Sequence, residues 1–228
     1  PDSVRAVTTM AQYQLAEQPP IETLRTLDAF VSANPGHAYL RIQELNLRCQ
    51  TMPDEDHGQV LERLYRELPN VDFTYTAGSM LSELFTTVSK TGCRDVTPDT
   101  VRSLAESLRS NRRYADDPLY NQFHHKLLAG IHRYDGDFAA TLTSLETAIS
   151  FRPSSELNMM MVTLLGGAGQ FDAARAFIDE ALDAAPRNPL QSLAWRSNLR
   201  NLREYVDELE RYSQRELQPD PSMENDDS

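Results

Sequence analysis

Apolar residues recur at three- and four-residue spacing along nearly the whole chain, and this period constrains the fold most. Leu24, Leu27, Phe30 and Val31 form one stripe; Leu40, Ile42, Leu45 and Leu47 form the next, followed by Leu61, Leu64, Tyr65 and Leu68. Side chains three and four apart share a helix face, so each stripe predicts an amphipathic helix. The two-residue alternation of a half-buried strand is missing. Its nearest approach, Val71 to Tyr75, runs into another helical stripe, Met80, Leu81, Leu84, Phe85 and Val88. Helix breakers fall at short intervals: Pro19-Pro20, Asn34-Pro35-Gly36, Met52-Pro53-Asp54, Pro69-Asn70, Gly92, Thr97-Pro98 and Asp117-Pro118. Proline lacks the donor a helix needs and restricts the residue before it, so these sites mark helix ends. Thr97-Pro98-Asp99 also reads as a start, with a threonine cap and proline at the first helical position. The segments between breaks span roughly 12–18 residues, which predicts an all-α chain of about twelve helices joined by short links.

Composition excludes several classes. Of 228 residues, 40% are apolar and 25% charged, and glycine and proline number 9 and 13, as in a globular chain long enough to bury a core. No apolar run reaches the ~20 residues of a membrane span, so no membrane insertion by this segment is expected. Thirty-four acids against 22 bases give a net charge of −12, which weighs against nucleic acid as a partner. Four of the acids lie in 218–228, which has no base and two prolines and reads as a disordered acidic tail. The bases are arginine apart from Lys90 and Lys126, a skew that suggests a GC-rich, bacterial coding sequence. No basic-apolar leader is visible at the start. Cytoplasm and periplasm both remain open.

The second half repeats itself. Gly136-Asp137-Phe138 matches Gly169-Gln170-Phe171, and Thr141, Leu145, Ala148 and Pro153 match Ala174, Ile178, Ala181 and Pro186, each pair 33 residues apart. A worn third copy at 34 places Arg203-Glu204-Tyr205, then Glu208 and Tyr212. The order within a unit is helix, glycine turn, aromatic, small residue, large apolar residue, alanine, proline. This pattern resembles the tetratricopeptide repeat, a helix-turn-helix unit of bacterial and other proteins. Phe171, Ala174, Ile178, Ala181 and Pro186 match its second-helix positions in order, and Phe138, Leu145, Ala148 and Pro153 match four of them, with Thr141 where alanine is usual. The resemblance implies stacked antiparallel helix pairs in a right-handed α-solenoid, with 1–112 as divergent pairs, 113–217 as closer repeats with a capping helix, and 218–228 outside the stack. Phe138, Phe171, Ala174, Ile178, Ala181 and Trp195 would carry the scaffold.

By the same resemblance, the first helix of each pair lines a concave, partner-binding groove. Its lining would be Phe123, Lys126, Leu127, Arg133 and Tyr134, then Glu156, Met159, Met160 and Thr163, with Leu190, Leu193, Ser197 and Arg200 following. Methionine suits adaptable binding surfaces, so Met159 and Met160 are expected to form an apolar floor for a peptide or helix, while Met161 faces the core. The carboxylate clamp of chaperone-binding members matches at Lys126 only; Gly130 stands where asparagine is expected. The function implied is a protein-binding scaffold that is not an enzyme. The alternative is the soluble helical-repeat part of a larger bacterial membrane protein that assembles or attaches glycans, with catalysis elsewhere in that protein.

No cofactor or metal motif stands out. His124, His125 and His132 lack the spacing of a zinc helix. Gly166-Gly167-Ala168-Gly169 lacks the lysine and hydroxyl residue of a phosphate loop and fits a turn between helices, where glycine tolerates positive φ. Cys49 and Cys93 each fall near a predicted helix end. If those two helices are neighbouring first helices they run parallel, and a disulfide is geometrically possible; two buried thiols are the other option.

Overall fold

A computed structural model describes residues 20–34, 37, 39–70, 75–110, 116–184 and 188–216. Among them are ten α-helices, one 3₁₀ turn and no strand. In chain order the helices are α1 (Pro20–Ala33), α2 (Leu40–Thr51), α3 (Gly58–Glu67), α4 (Tyr75–Thr91), α5 (Pro98–Arg109), α6 (Pro118–Tyr134), α7 (Phe138–Phe151), α8 (Ser155–Gly167), α9 (Phe171–Asp183) and α10 (Pro189–Glu216); the 3₁₀ turn, Leu68–Asn70, follows α3. The all-α expectation therefore holds. The expected acidic tail, the boundary at 112/113, most of Val71–Tyr75 and Pro186 lie outside the described residues. The chain divides into two compact units, 1–144 and 145–228, the division falling within α7.

Local sequence explains the helix starts. Thr97 is extended (φ −114°, ψ 169°) and accepts the backbone N–H of Thr100, whose hydroxyl in turn accepts the N–H of Thr97; Pro98 follows at the first helical position. Asp117 caps α6 by accepting the N–H groups of Leu119 (2.8 Å) and Tyr120 (3.0 Å), again just before a proline.

In the first unit α2 is the central element. It packs against α1, α3 and α4, while α4 also packs on α5 and α6. Leu24, Leu27, Leu40, Ile42, Leu45, Leu64, Leu84, Leu104, Leu108 and Ile131 are fully buried there. Where α4 meets α6, each helix offers a glycine to the other's phenylalanine. A Cβ on Gly78 would come within 3.1 Å of the Phe123 ring, and one on Gly130 within 3.2 Å of Phe85. In the second unit α8, α9 and α10 pack on one another around Met161, Val162, Ile178, Leu199 and Val206. Trp195 is buried, and its indole N–H donates to the Ala181 carbonyl at 2.8 Å. Met161 is core, as expected.

The 33-residue repeat is written in the backbone. Gly136 (φ +76°) and Gly169 (φ +72°) close their turns in the left-handed region. Around them the N–H of Gly136 bonds the Arg133 carbonyl and that of Asp137 the His132 carbonyl; 33 residues on, Gly169 bonds Gly166 and Gln170 bonds Leu165. This is the crossed pattern that ends a helix at a left-handed glycine. The glycine-rich stretch is thus an inter-helix turn. The matched positions Thr141 and Ala174, Leu145 and Ile178, and Ala148 and Ala181 are all buried. The two aromatics differ from expectation: Phe138 and Phe171 are only half-buried.

The worn third copy is not a helix pair. α10 runs unbroken for 28 residues through Arg203-Glu204-Tyr205. The reason lies in the sequence: no glycine or proline interrupts 190–216, so nothing stops the helix.

Because Ile178 is fully buried and Phe171 is not, the order of their costs is fixed. Ile178→Ala should lower stability by about 2–5 kcal/mol and Phe171→Ala by less, as read by urea denaturation of the folded chain. A larger loss for Phe171→Ala would contradict the packing described.

Candidate functional site

The expected groove residues divide between the units. Phe123, Lys126, Leu127, Arg133 and Tyr134 stand on α6 in the first; Glu156, Met159, Met160 and Thr163 stand on α8 in the second. Leu127 is withdrawn into the core of the first unit, because α6 turns that side toward α4 and α5, and Phe123 covers Gly78. These two side chains serve packing. Arg133 and Tyr134 are exposed, and Tyr134 meets Phe85 edge to face at 6.3 Å; Lys126 is half-buried. On α8, Glu156 and Met159 are exposed and Met160 and Thr163 half-buried. On α10, Leu190 (80% exposed) and Leu193 (66%) lie open, as does Met159 (49%).

The densest polar site was not anticipated. Arg41 is 3% exposed, near the start of α2. Its Nε donates to Glu67 of α3 (2.8 Å), Nη1 to Asp28 of α1 (2.8 Å) and Nη2 to Ser32 of α1 (3.2 Å). Nη1 also lies 3.4 Å from Glu44, one turn along α2, and Glu44 accepts from Arg48 Nε at 3.0 Å. Arg63 adds a second hydrogen bond to Asp28, at 3.0 Å. Burial pushes the Glu44 carboxyl upward, opposed by Arg48. Desolvation is the largest single influence on Arg41, but its hydrogen bonds to Asp28 and Glu67 and the charges of Glu67 and Glu44 together outweigh it and keep the guanidinium charged. Asp28, Ser32, Arg41, Arg63, Arg66 and Glu67 line most of a cleft of about 350 Å³. Arg41 and Arg63 in its wall already face carboxylates, an arrangement suited to locking three helices together. Sequence periodicity could not find it, since an arginine and a glutamate on a helix look like solvated positions.

On α6, His124 behaves as a packing group. His124 is buried beside Tyr120, whose hydroxyl donates to the Ala105 carbonyl at 2.9 Å. His124 Nε2 lies 3.3 Å from Glu106, yet desolvation, helped by His125 and Arg109, pulls its pKa down from 6.5 to about 4. The ring is therefore neutral at neutral pH, and the contact is not an ion pair there.

Among the described residues, one set of three side chains that can ligate metals brings its ligand atoms within 4.8 Å of one another: Cys49, His57 and Cys93. Cys49 and Cys93 form a disulfide with a Cα–Cα distance of 5.2 Å, across the packed α2 and α4. His57 is the member that sequence reasoning missed. It follows Cys49 by eight residues across the Pro53 turn, a spacing that matches no ligand motif. No family model matches the chain, and no curated protein or solved structure does either.

Arg41→Ala should destabilise the chain by about 2–3 kcal/mol, below the cost of splitting a wholly buried pair because Asp28 and Glu67 are partly exposed. Arg63→Ala, at a side chain 42% exposed, should cost less than half as much in the same denaturation assay. For His124 the folded pKa is depressed, so its contribution is present above 6.5 and lost as pH falls from 6.5 toward about 4. Wild type should therefore lose about 3 kcal/mol more over that window than His124→Asn, a difference that pH-resolved urea melts would measure.

Proposed function

We propose that this chain is a helical-repeat binding module that holds a protein or peptide segment, and that α8 carries the contact. One observation supports this most: the helix-turn-helix recurs at 33 residues in both sequence and backbone hydrogen bonding, with matched side chains buried. Repeated helix pairs put their matched positions inside and leave the other faces to vary, which suits recognition. Met159, Leu190 and Leu193 are large apolar side chains left open on α8 and α10, while Met161, Leu199 and Leu202 on the same helices are buried. Flexible, polarisable methionine at an exposed position fits an adaptable apolar contact. The tetratricopeptide-like reading of the pairs belongs to this proposal. No helix among the described residues is long and apolar enough to cross a membrane.

The test is affinity capture with wild-type chain and a Met159→Ala/Met160→Ala double variant, with Met161 left intact. Exposed Met159 and half-buried Met160 should leave the melting temperature within a few degrees, while recovery of the wild-type partner falls about tenfold, equivalent to about 1.4 kcal/mol. Equal recovery by a folded double variant would overturn the assignment.

A further inference from the structure

We propose that Cys49, Cys93 and His57 form a redox-gated site for a soft divalent cation of the zinc class, closed while the disulfide stands and opened by its reduction. The three residues come from separate places: Cys49 from the last turn of α2, His57 from the residue before α3, and Cys93 from just beyond α4. One ligand atom from each lies within 4.8 Å of the others. A tetrahedral zinc with bonds of ~2.3 Å to sulfur and ~2.0–2.1 Å to nitrogen needs ligand atoms roughly 3.5–3.8 Å apart, so small side-chain movements suffice. The backbone between the loops is already tied, since the Arg94 N–H donates to the Pro53 carbonyl at 2.7 Å.

The second observation is His57 itself. Its ring is 0% exposed, and neither nitrogen has a hydrogen-bond partner among the described residues. An unsatisfied buried polar group costs roughly 1–3 kcal/mol, so such a ring calls for an explanation. Coordination takes up one of its two nitrogens. Two thiolates and an imidazole form a soft donor set, which selects zinc-like ions over magnesium or calcium. Glu55, Asp56 and Asp95 bring negative charge near the ring. Asp56 is engaged with the Gly58 N–H at 2.8 Å, and the three side chains leave a fourth, tetrahedral position for water. Cys93 is only half-buried and gives a path of entry.

The chemistry balances in two steps. A dithiol reductant gives two electrons and two protons to the disulfide, breaking the S–S bond and yielding two thiols, and leaves as its own disulfide. A zinc ion then replaces the two thiol protons, which pass to solvent, forming two Zn–S bonds; His57 adds a lone pair and exchanges no proton.

The test uses the full chain and Co²⁺ as a spectroscopic probe, with a phosphine as a non-chelating reductant under anaerobic conditions. The oxidised chain should remain colourless. The reduced chain should develop thiolate-to-cobalt charge transfer and the intense visible bands of a tetrahedral centre, saturating at one ion per chain and bleached by one equivalent of Zn²⁺. His57→Gln should weaken binding at least about tenfold, and Cys93→Ser should weaken it further and at least halve the charge-transfer band. A readout without any variant is the His57 ring nitrogen resonance, which should shift on adding zinc to reduced wild type and stay put in the oxidised chain. Absence of the cobalt bands in the reduced chain, or a His57 resonance that ignores zinc, would overturn the proposal.

Discussion

The first unit depends on the burial of a helix that is not apolar. Nine of the twelve residues of α2 are buried, and four of those nine are Arg41, Gln43, Glu44 and Asn46. A helix enclosed on all sides cannot send its polar groups to water, and each unpaired one would cost more than a paired one returns. Arg41 and Asn46 find partners on neighbouring helices, while Glu44 pairs with Arg41 and Arg48 within α2 itself. Arg41 joins α1 and α3 through Asp28, Ser32 and Glu67. Asn46 accepts the Thr87 hydroxyl of α4 at 2.7 Å, and that hydroxyl also accepts from Gln50 at 3.3 Å. Cys49 closes the end onto the segment after α4. A rotation of α2 would break several of these pairings together, so the polar side chains set its register while the leucines supply the driving force.

The second unit is organised by its turns and small residues instead. The left-handed Gly169 lets α8 stop within one residue, and the crossed hydrogen bonds satisfy its last carbonyls. Ala174 and Ala181 face inward where larger side chains would hold α9 away from its neighbours, and Gly166 lets the Leu209 side chain of α10 come close to α8. Arg175 bridges α9 to α10 by pairing with Asp207 (2.8 Å) and Glu210. These exposed pairs orient rather than stabilise, so the packing around Ile178 and Trp195 carries the unit.

What could be read from sequence was whatever depends on near neighbours in the chain. The helical period, the breaks at proline, the Thr97 cap, the two glycine turns and the inward Met161 all rest on residues within a few positions of each other. The buried charge cluster could not be read this way. Arg41 meets Glu67 and Asp28, 26 and 13 residues away, and nothing local distinguishes it from a solvated arginine. His57 escaped for the same reason: its neighbours Cys49 and Cys93 converge only through tertiary packing. Leu127 was placed on a surface by family pattern, whereas the glycine-phenylalanine packing of α4 on α6 draws that side of the helix inward. The disulfide was half legible, since two helix ends were expected at one level but only packing brings the sulfurs together.

The central claim is that α2 is the buried pivot of the first unit, and native-state hydrogen exchange tests it most directly. Amides from Ile42 to Cys49 should exchange slowest in residues 20–134, opening only with global unfolding of that unit, while α1 exchanges through smaller local openings. Exchange along α2 as fast as along α1 would contradict the central placement of this helix.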